Sequence, residues 1–153
     1  ESLTIHAAGT DLAVAYVDDA QAGKLKVTVD DAAPVEIAAN VPYKDATGKE
    51  TFMENRQGFR NLGYGLHAVR IEAVDGPVAV LGLFAYDTRS GQVGRRVTGL
   101  AQPGETIRFT PPFKVRPLVL GYGGLAVKAE DISTTGAKFS GAGPGTYEAL
   151  GEW

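Results

Sequence analysis

Histidine is the side chain best suited to acid–base chemistry near neutral pH, and this chain of 153 residues has two, at positions 6 and 67. His67 lies in the segment LHAVRIEAV, where it shares its parity with Val69 and Ile71. Because alternate residues of a strand point to opposite faces, a strand here places the imidazole on the apolar face. In that position it could be a catalytic base, a metal ligand or a hydrogen-bonded residue of the core.

A catalytic His67 requires partners, and the sequence supplies none in a recognisable pattern. The four serines lie outside any G-x-S-x-G turn, and the two histidines form no H-E-x-x-H pair. The absence of cysteine removes thiolate nucleophiles and cysteine-based zinc sites. We therefore favour a structural His67 bonded to a backbone carbonyl or a loop side chain. The chain is predicted to be no enzyme, with no catalytic residue and no metal ligand.

Two pairs of aspartates are the remaining candidates for an ion site. Asp18-Asp19 and Asp30-Asp31 lie where turns are predicted, and β-sandwich modules often hold a structural calcium ion at such corners. Aspartate is also a common turn residue, because its carboxylate bonds to the backbone two residues on. We favour turns, with structural calcium as the alternative, and predict no other cofactor.

Composition and charge exclude several classes of partner. The formal net charge is −3, so no basic excess is available to neutralise nucleic-acid phosphates. We interpret the short cluster Arg89, Arg95 and Arg96 as a solvated loop. The longest apolar run, PVAVLGLFAY, is far shorter than the ~20 residues of a membrane span, so no membrane insertion is predicted. Because the chain begins at Glu1 rather than Met, we expect it to be a mature or excised piece of something longer.

The elements that must position these residues are predicted to be strands. The 20 glycines and 8 prolines divide the chain into short segments rich in β-branched and aromatic residues, as in an all-β sandwich or barrel. Segment 24–30 should face inward through Leu25, Val27 and Val29 and form a hairpin with 34–39. Segment 78–87 is apolar on both faces and is therefore predicted to be a central strand. The other predicted strands are 3–7, 12–18, 50–54, 66–74, 106–110, 116–122, 126–133, 137–141 and 146–153.

Glycine, arginine and a Pro-Gly pair dominate residues 88–105, which predicts a boundary there. We expect a first domain over 1–90, a linker over 91–105 and a small β-unit over 106–153. A unit of about 50 residues buries little core alone, so it should pack on the first part or on a neighbouring subunit. A homo-oligomer or a place in a larger particle is expected.

Residues 1–88 resemble the small jelly-roll domain that precedes the hydrolase domain of some SGNH-type carbohydrate esterases and recurs in bacterial and phage surface proteins. The resemblance rests on three strand motifs. They are Val29-Asp30-Asp31; Leu62, Gly65, His67, Val69 and Ile71; and Leu81-Gly82-Leu83-Phe84. In that pattern a glycine stands where this chain has Asp31. The resemblance implies a jelly-roll β-sandwich in which the histidine belongs to a hairpin strand rather than to an esterase site.

Residues 113–153 resemble the C-terminal β-units of phage tail fibres and spikes. The matching positions are Phe113, Val115, Pro117 and Val119; Thr134, Thr135, Gly136 and Phe139; and Tyr147, Ala149 and Gly151. The two resemblances together imply a receptor-binding or glycan-binding part of a phage-like particle, at an extracellular or virion surface. They imply cell-surface polysaccharide as the partner in host-cell attachment. The alternatives are a purely structural capsid or fibre domain and an accessory domain of an esterase.

A sugar site needs aromatic rings for the apolar C–H faces of the ligand and planar polar groups for its hydroxyls. The long polar stretch 40–64, which we interpret as mostly loop, and the end of segment 78–87 supply both. The predicted ligand-binding residues are Tyr43, Glu54, Asn55, Arg56, Arg60, Asn61, Tyr64, Tyr86, Asp87 and Arg89. A second aromatic group, Tyr122, Tyr147 and Trp153, is expected to serve in packing.

Overall fold

The computed structural model describes residues 1–86 and 94–152, and in them all regular structure is β-strand. No helix in this part of the chain has the length and apolar character needed to cross a bilayer. The strands are β1 (Ser2–Gly9), β2 (Asp11–Asp18), β3 (Lys24–Val29), β4 (Val35–Ala38), β5 (Tyr43–Lys44), β6 (Glu50–Thr51), β7 (Met53–Phe59), β8 (Gly65–Val74), β9 (Val80–Tyr86), β10 (Arg95–Ala101), β11 (Thr106–Arg108), β12 (Leu118–Gly121), β13 (Leu125–Ile132), β14 (Gly136–Gly141) and β15 (Gly145–Gly151). The all-β prediction is confirmed.

The chain forms two compact units that are interleaved in sequence. Unit 1 consists of Glu1–Ala7, Asp11–Arg60 and His67–Tyr86. Unit 2 takes Ala8–Thr10 and Asn61–Leu66 together with the described residues from 94 onward. Two short segments inside the expected first domain, 1–90, therefore belong to the second unit.

Unit 1 contains a four-stranded sheet in the order β1-β8-β3-β4, a three-stranded sheet in the order β7-β2-β9, and the small hairpin β5-β6. The predicted hairpin of β3 and β4 is present, with Leu25 opposite Ile37 and Val27 opposite Val35. Leu25, Val27 and Val29 are buried as predicted. The polar stretch 40–64, expected to be mostly loop with one strand near 50–54, contains three strands, of which β7 pairs with β2 over its whole length.

His67 is a core residue of unit 1. Only 2% of its surface is exposed, and Val69 and Ile71 of the same parity are also buried. Its Nδ1 lies 2.7 Å from Oδ2 of Asp30, while Oδ1 of Asp30 accepts a hydrogen bond from the backbone N–H of Ala68. Asp30 reaches both groups from a turn position with φ of 51°. The carboxylate thus fastens the β3–β4 turn to β8, as expected for a histidine bonded to a loop side chain.

Replacing His67 by alanine should lower the free energy of unfolding by about 2–4 kcal/mol, because the change leaves a cavity and removes a partner of Asp30. Urea unfolding measures the loss. Arg70→Ala is the control, since Arg70 lies on the same strand with the opposite parity and forms a surface pair with Glu72. That variant should change stability by less than about 0.5 kcal/mol. Ester hydrolysis that disappears in His67→Ala would contradict the structural role.

Strand β9 differs from its prediction in two ways. It is an edge strand of the sheet β7-β2-β9, and β2 is the central strand and is buried along almost all of its length. The register of β9 against β2 shifts at Leu81, because Gly82 pairs with Ala15 and Val80 pairs with Tyr16. One extra residue reverses the alternation of faces. Phe84 therefore does not share a face with Val80, although simple parity predicts that it does.

Unit 2 contains two three-stranded sheets, in the orders β10-β15-β12 and β11-β14-β13. Its buried residues form one apolar cluster, to which Leu66 and Ala101 contribute from outside the expected unit 106–153. The cluster comprises Leu66, Ala101, Phe109, Phe113, Val119, Leu125, Ile132, Ala137, Phe139, Tyr147 and Ala149. Tyr147 packs here as predicted, with its ring centre 5.2 Å from that of Phe139. Trp153 lies outside the described residues.

The expected linker 91–105 contains β10, which pairs with β15 along its whole length. Arg95 opens this strand and is buried, contrary to its assignment to a solvated loop. Its guanidinium donates hydrogen bonds to the carbonyl oxygens of Thr110 and Pro111 and lies 4.8 Å from the ring centre of Phe113. Arg96, by contrast, is exposed and forms an ion pair with Glu148.

Candidate functional site

One face of the sheet β7-β2-β9 collects charged and aromatic side chains, and we call it the Arg56 face. Residues that pair directly across antiparallel strands point to the same side of a sheet. The registers of β2 with β7 and of β2 with β9 therefore place nine residues together, with Asp11 at their edge opposite Tyr86. They are Glu54, Arg56 and Gly58 of β7, Ala13, Ala15 and Val17 of β2, and Gly82, Phe84 and Tyr86 of β9.

Arg56 organises this face. Its Nε and Nη2 donate hydrogen bonds of 3.0 and 2.8 Å to the same oxygen, Oε1 of Glu54. Its Cζ lies 4.1 Å from the ring centre of Phe84, which places the guanidinium over the ring across β2. The hydrogen bond to Glu54 raises the pKa of Arg56 above its usual value, and a hydrogen bond with the hydroxyl of Tyr86 adds to the rise. Arg56 is thus charged at any working pH.

The floor of the Arg56 face is made of small residues. Ala13 and Ala15 of the central strand are buried beneath the larger neighbours. A Cβ atom added to Gly58 or to Gly82 would meet no heavy atom within 4 Å, so space is open above both glycines. The sheet therefore presents a shallow surface with two recesses, in which a ligand could approach the backbone closely.

Two aromatic residues rise beside this floor and remain accessible. Phe84 is 40% exposed and Tyr86 is 43% exposed. None of the nine residues is a serine, threonine, cysteine or histidine, so the face lacks a serine, threonine or cysteine nucleophile beside a histidine base. Apolar rings next to a guanidinium and a carboxylate are the arrangement that binds a molecule with apolar and hydroxyl-bearing sides.

The structure distributes the predicted site residues over several places. Glu54, Arg56 and Tyr86 meet on the Arg56 face, and Asn55 points to the opposite side of the sheet. The others lie elsewhere: Tyr43 is half-buried in the small hairpin, Arg60 is exposed just after β7, Asn61 and Tyr64 belong to unit 2, and Asp87 and Arg89 lie outside the described residues.

Tyr64 has little surface to offer a ligand. It is buried, and its backbone N–H donates a 2.9 Å hydrogen bond to Oε1 of Glu152 within unit 2. Phe84, which the prediction of the site omitted, is the central ring of the Arg56 face. The available signal was Gly82, because an isolated glycine inside a strand often marks a bulge that changes which face a side chain occupies.

Asn55 holds a buried carboxylate. Its Nδ2 donates a 2.8 Å hydrogen bond to Oδ2 of Asp18, which is the last residue of β2 and is almost fully buried. The other oxygen, Oδ1 of Asp18, is buried and has no hydrogen-bond partner among the described residues. Asp19 forms a turn in which its carboxylate accepts the N–H of Gln21. In residues 1–86 and 94–152 no three acidic, histidine or cysteine side chains group closely enough to hold a metal ion.

Asn55→Ala should lower the free energy of unfolding by about 1–3 kcal/mol, because both oxygens of the buried Asp18 carboxylate then lack a side-chain donor. Thermal and urea unfolding measure this loss. The double variant Asp18→Ala/Asn55→Ala should lose less than the two single variants together, since it removes both partners. Strict additivity would show that the two side chains do not act as a pair.

Comparisons of the chain with protein-family models, with curated proteins and with solved structures gave no match.

Proposed function

We propose that this chain is a non-catalytic carbohydrate-binding module with a jelly-roll β-sandwich, and that its ligand binds on the Arg56 face. The observation that carries the proposal is the guanidinium of Arg56 over the ring of Phe84, with Tyr86 and Glu54 beside them. The rings offer apolar surface to the C–H faces of a sugar, and the guanidinium and carboxylate offer donors and acceptors to its hydroxyls.

The setting that fits this activity is the surface of a cell or of a phage-like particle. The first part of the chain resembles modules that accompany carbohydrate esterases, and the last part resembles tail-fibre and spike units. Both classes meet polysaccharide outside the cell. Surface polysaccharide of a host is therefore the proposed partner, and attachment is the proposed role.

Replacing Phe84 by alanine should weaken glycan binding about tenfold or more, because it removes the ring on which sugar and guanidinium pack. Since Phe84 is partly exposed, the free energy of unfolding should fall by less than about 1 kcal/mol. Arg56→Ala should also weaken binding without a large loss of stability. Glycan arrays followed by isothermal titration calorimetry measure the affinities, and thermal unfolding measures the stability.

Phe52→Ala is the matched control for this experiment. Phe52 is more exposed than Phe84 but lies between β6 and β7, outside the nine residues of the Arg56 face. Its removal should leave glycan affinity unchanged. The proposal fails if the native protein shows no saturable binding to any glycan, or if Phe52→Ala weakens binding as much as Phe84→Ala.

A structural role in a fibre or capsid is the second candidate, and one observation in unit 2 favours it. The face of the sheet β10-β15-β12 that points away from the core carries Leu100, which is 78% exposed, together with the partly exposed Leu120 and Tyr122. Exposed apolar side chains on one sheet face are typical of subunit contacts. Light scattering tests whether the chain assembles, as an architectural domain should. Such a domain should also bind no sugar on the glycan arrays.

A further inference from the structure

The Arg56 face continues into a cavity at the end of β2 that lies away from Phe84 and Tyr86. Val17 belongs to this face, opposite Glu54, and its N–H donates a 3.0 Å hydrogen bond to the carbonyl of Ala79. Val17 also lines a cavity of about 210 Å³ together with Asp19, Gln21, Ala22, Pro77 and Ala79. The cavity therefore continues the same surface along β2.

The length of this surface can be estimated from the strand. Ala13 lies between Gly58 and Phe84, and Val17 lies four residues further along β2. At ~3.4 Å per residue this separation is about 14 Å, to which the cavity beyond Val17 adds further length. Such a surface is longer than a single sugar ring.

The charged groups along this surface disfavour an acidic ligand. The donors Nε and Nη2 of Arg56 are both bonded to Glu54, so this edge of the guanidinium is occupied. A free edge of this kind is what binds a carboxylate through two hydrogen bonds. Asp19 lines the cavity at one end of this surface. Among the described residues that line the Arg56 face and the cavity, the carboxylates of Glu54 and Asp19 thus accompany the guanidinium of Arg56, and an acidic sugar would be repelled.

We infer that the ligand is an uncharged polysaccharide of which several sugar residues lie along β2, from Phe84 and Tyr86 to the cavity beside Val17. This inference rests on the proposed function of the Arg56 face and adds the class of sugar and the mode of binding. The rings and the guanidinium bind one part of the chain, and the cavity binds the next sugar residues.

Titration with uncharged glucan, mannan and galactan oligosaccharides of two to six residues tests the length of the site. In the series that binds, affinity should rise about tenfold or more from the disaccharide to the longest oligomer. Ala79→Phe places a ring in the cavity at an exposed position. This variant should abolish the rise with length, whereas Phe84→Ala should weaken every oligomer.

Glu54→Gln tests the charge of the site through a gain of binding. Native protein should not bind oligogalacturonate of the same lengths. The glutamine removes a negative charge and leaves Arg56 only a neutral amide oxygen as acceptor, so this variant should bind the acidic oligomers at least several-fold more tightly than the native protein does.

The outcomes separate this inference from the proposed function. If no sugar binds, the proposed function fails and the inference fails with it. If sugars bind in a manner that needs Phe84 but is independent of length, or if Ala79→Phe leaves the length dependence intact, only the extended mode of binding along β2 is overturned. If native protein prefers acidic oligomers, the uncharged ligand class is overturned.

Discussion

Gly141→Ala is expected to destabilise the protein by more than about 4 kcal/mol and to reduce the yield of folded material. Gly141 ends β14 with φ of 122°, a conformation that an alanine adopts only under strain. A Cβ atom at this position would also lie 2.2 Å from the carbonyl oxygen of Gly124 and 3.0 Å from the nitrogen of Ala126. Because both are backbone atoms, β13 would have to move away from β14.

Two other glycines serve as matched controls for this prediction. Gly104 has φ of 88°, but a Cβ there meets no heavy atom within 4 Å, so Gly104→Ala should cost only the strain of about 1–2 kcal/mol. Gly143 has neither a positive φ nor a close neighbour, and Gly143→Ala should be nearly neutral. Urea unfolding followed by circular dichroism ranks the three variants. Equal losses at positions 104 and 141 would contradict the close approach of the strands.

Phe139→Ala is expected to lower the free energy of unfolding by about 3–5 kcal/mol, because it removes the largest fully buried side chain among the described residues. Phe139 lies opposite Val127 of β13, and its ring contacts that of Tyr147 from the other sheet of unit 2. The loss combines the transfer of the ring to water with the cavity that remains among these neighbours. Equilibrium unfolding in urea measures the change.

Phe139→Leu is the control for shape, and it should cost about 1–1.5 kcal/mol because most of the apolar volume is kept. Tyr122→Ala is the control for exposure, since nearly half of Tyr122 is in contact with solvent and its hydroxyl bonds to Glu148 on the outer side. That variant should cost less than about 1 kcal/mol. A loss at Phe139 no larger than the loss at Tyr122 would contradict a core centred on Phe139.

Where one face of a strand is buried and the other is not, the alternation of the sequence was sufficient to predict the structure. His67 and the inward residues of β3 lie as their parity indicates, because their strands pair without interruption from residues 24 to 29. The sequence also indicated that His67 needs a partner. It did not identify Asp30, because that contact depends on a positive φ in a turn 37 residues away.

The face occupied by Phe84 could not be predicted from parity alone. The bulge at Leu81 arises from the pairing of β9 with β2, and the only local signal of it in the sequence is Gly82. Segment 78–87 is predicted from the sequence to be a central strand because it is apolar on both faces. The structure places it at an edge, with Leu81 55% exposed. A strand that is apolar on both faces can therefore belong to an exposed contact surface as well as to a core.

Strand β10 was missed because its sequence, RRVTGLA, has two adjacent arginines and an internal glycine. Arginine is usually solvated, so nothing local predicts that Arg95 is buried. The partners that satisfy it are backbone carbonyls about fifteen residues away, at Thr110 and Pro111. Gly99 also depends on a contact distant in sequence, because a Cβ there would lie 2.8 Å from the ring of Tyr147 on the neighbouring strand.

The alternating membership of the two units bears on how such a chain can evolve. Leu66 lies in the core cluster of unit 2, yet residues of unit 1 both precede and follow it in sequence. A single genetic crossover at any point between residues 11 and 86 would therefore divide at least one unit between two parents. We expect recombination to transfer this chain as an undivided block, and new specificities to arise by point substitution on the strands rather than by exchange of modules.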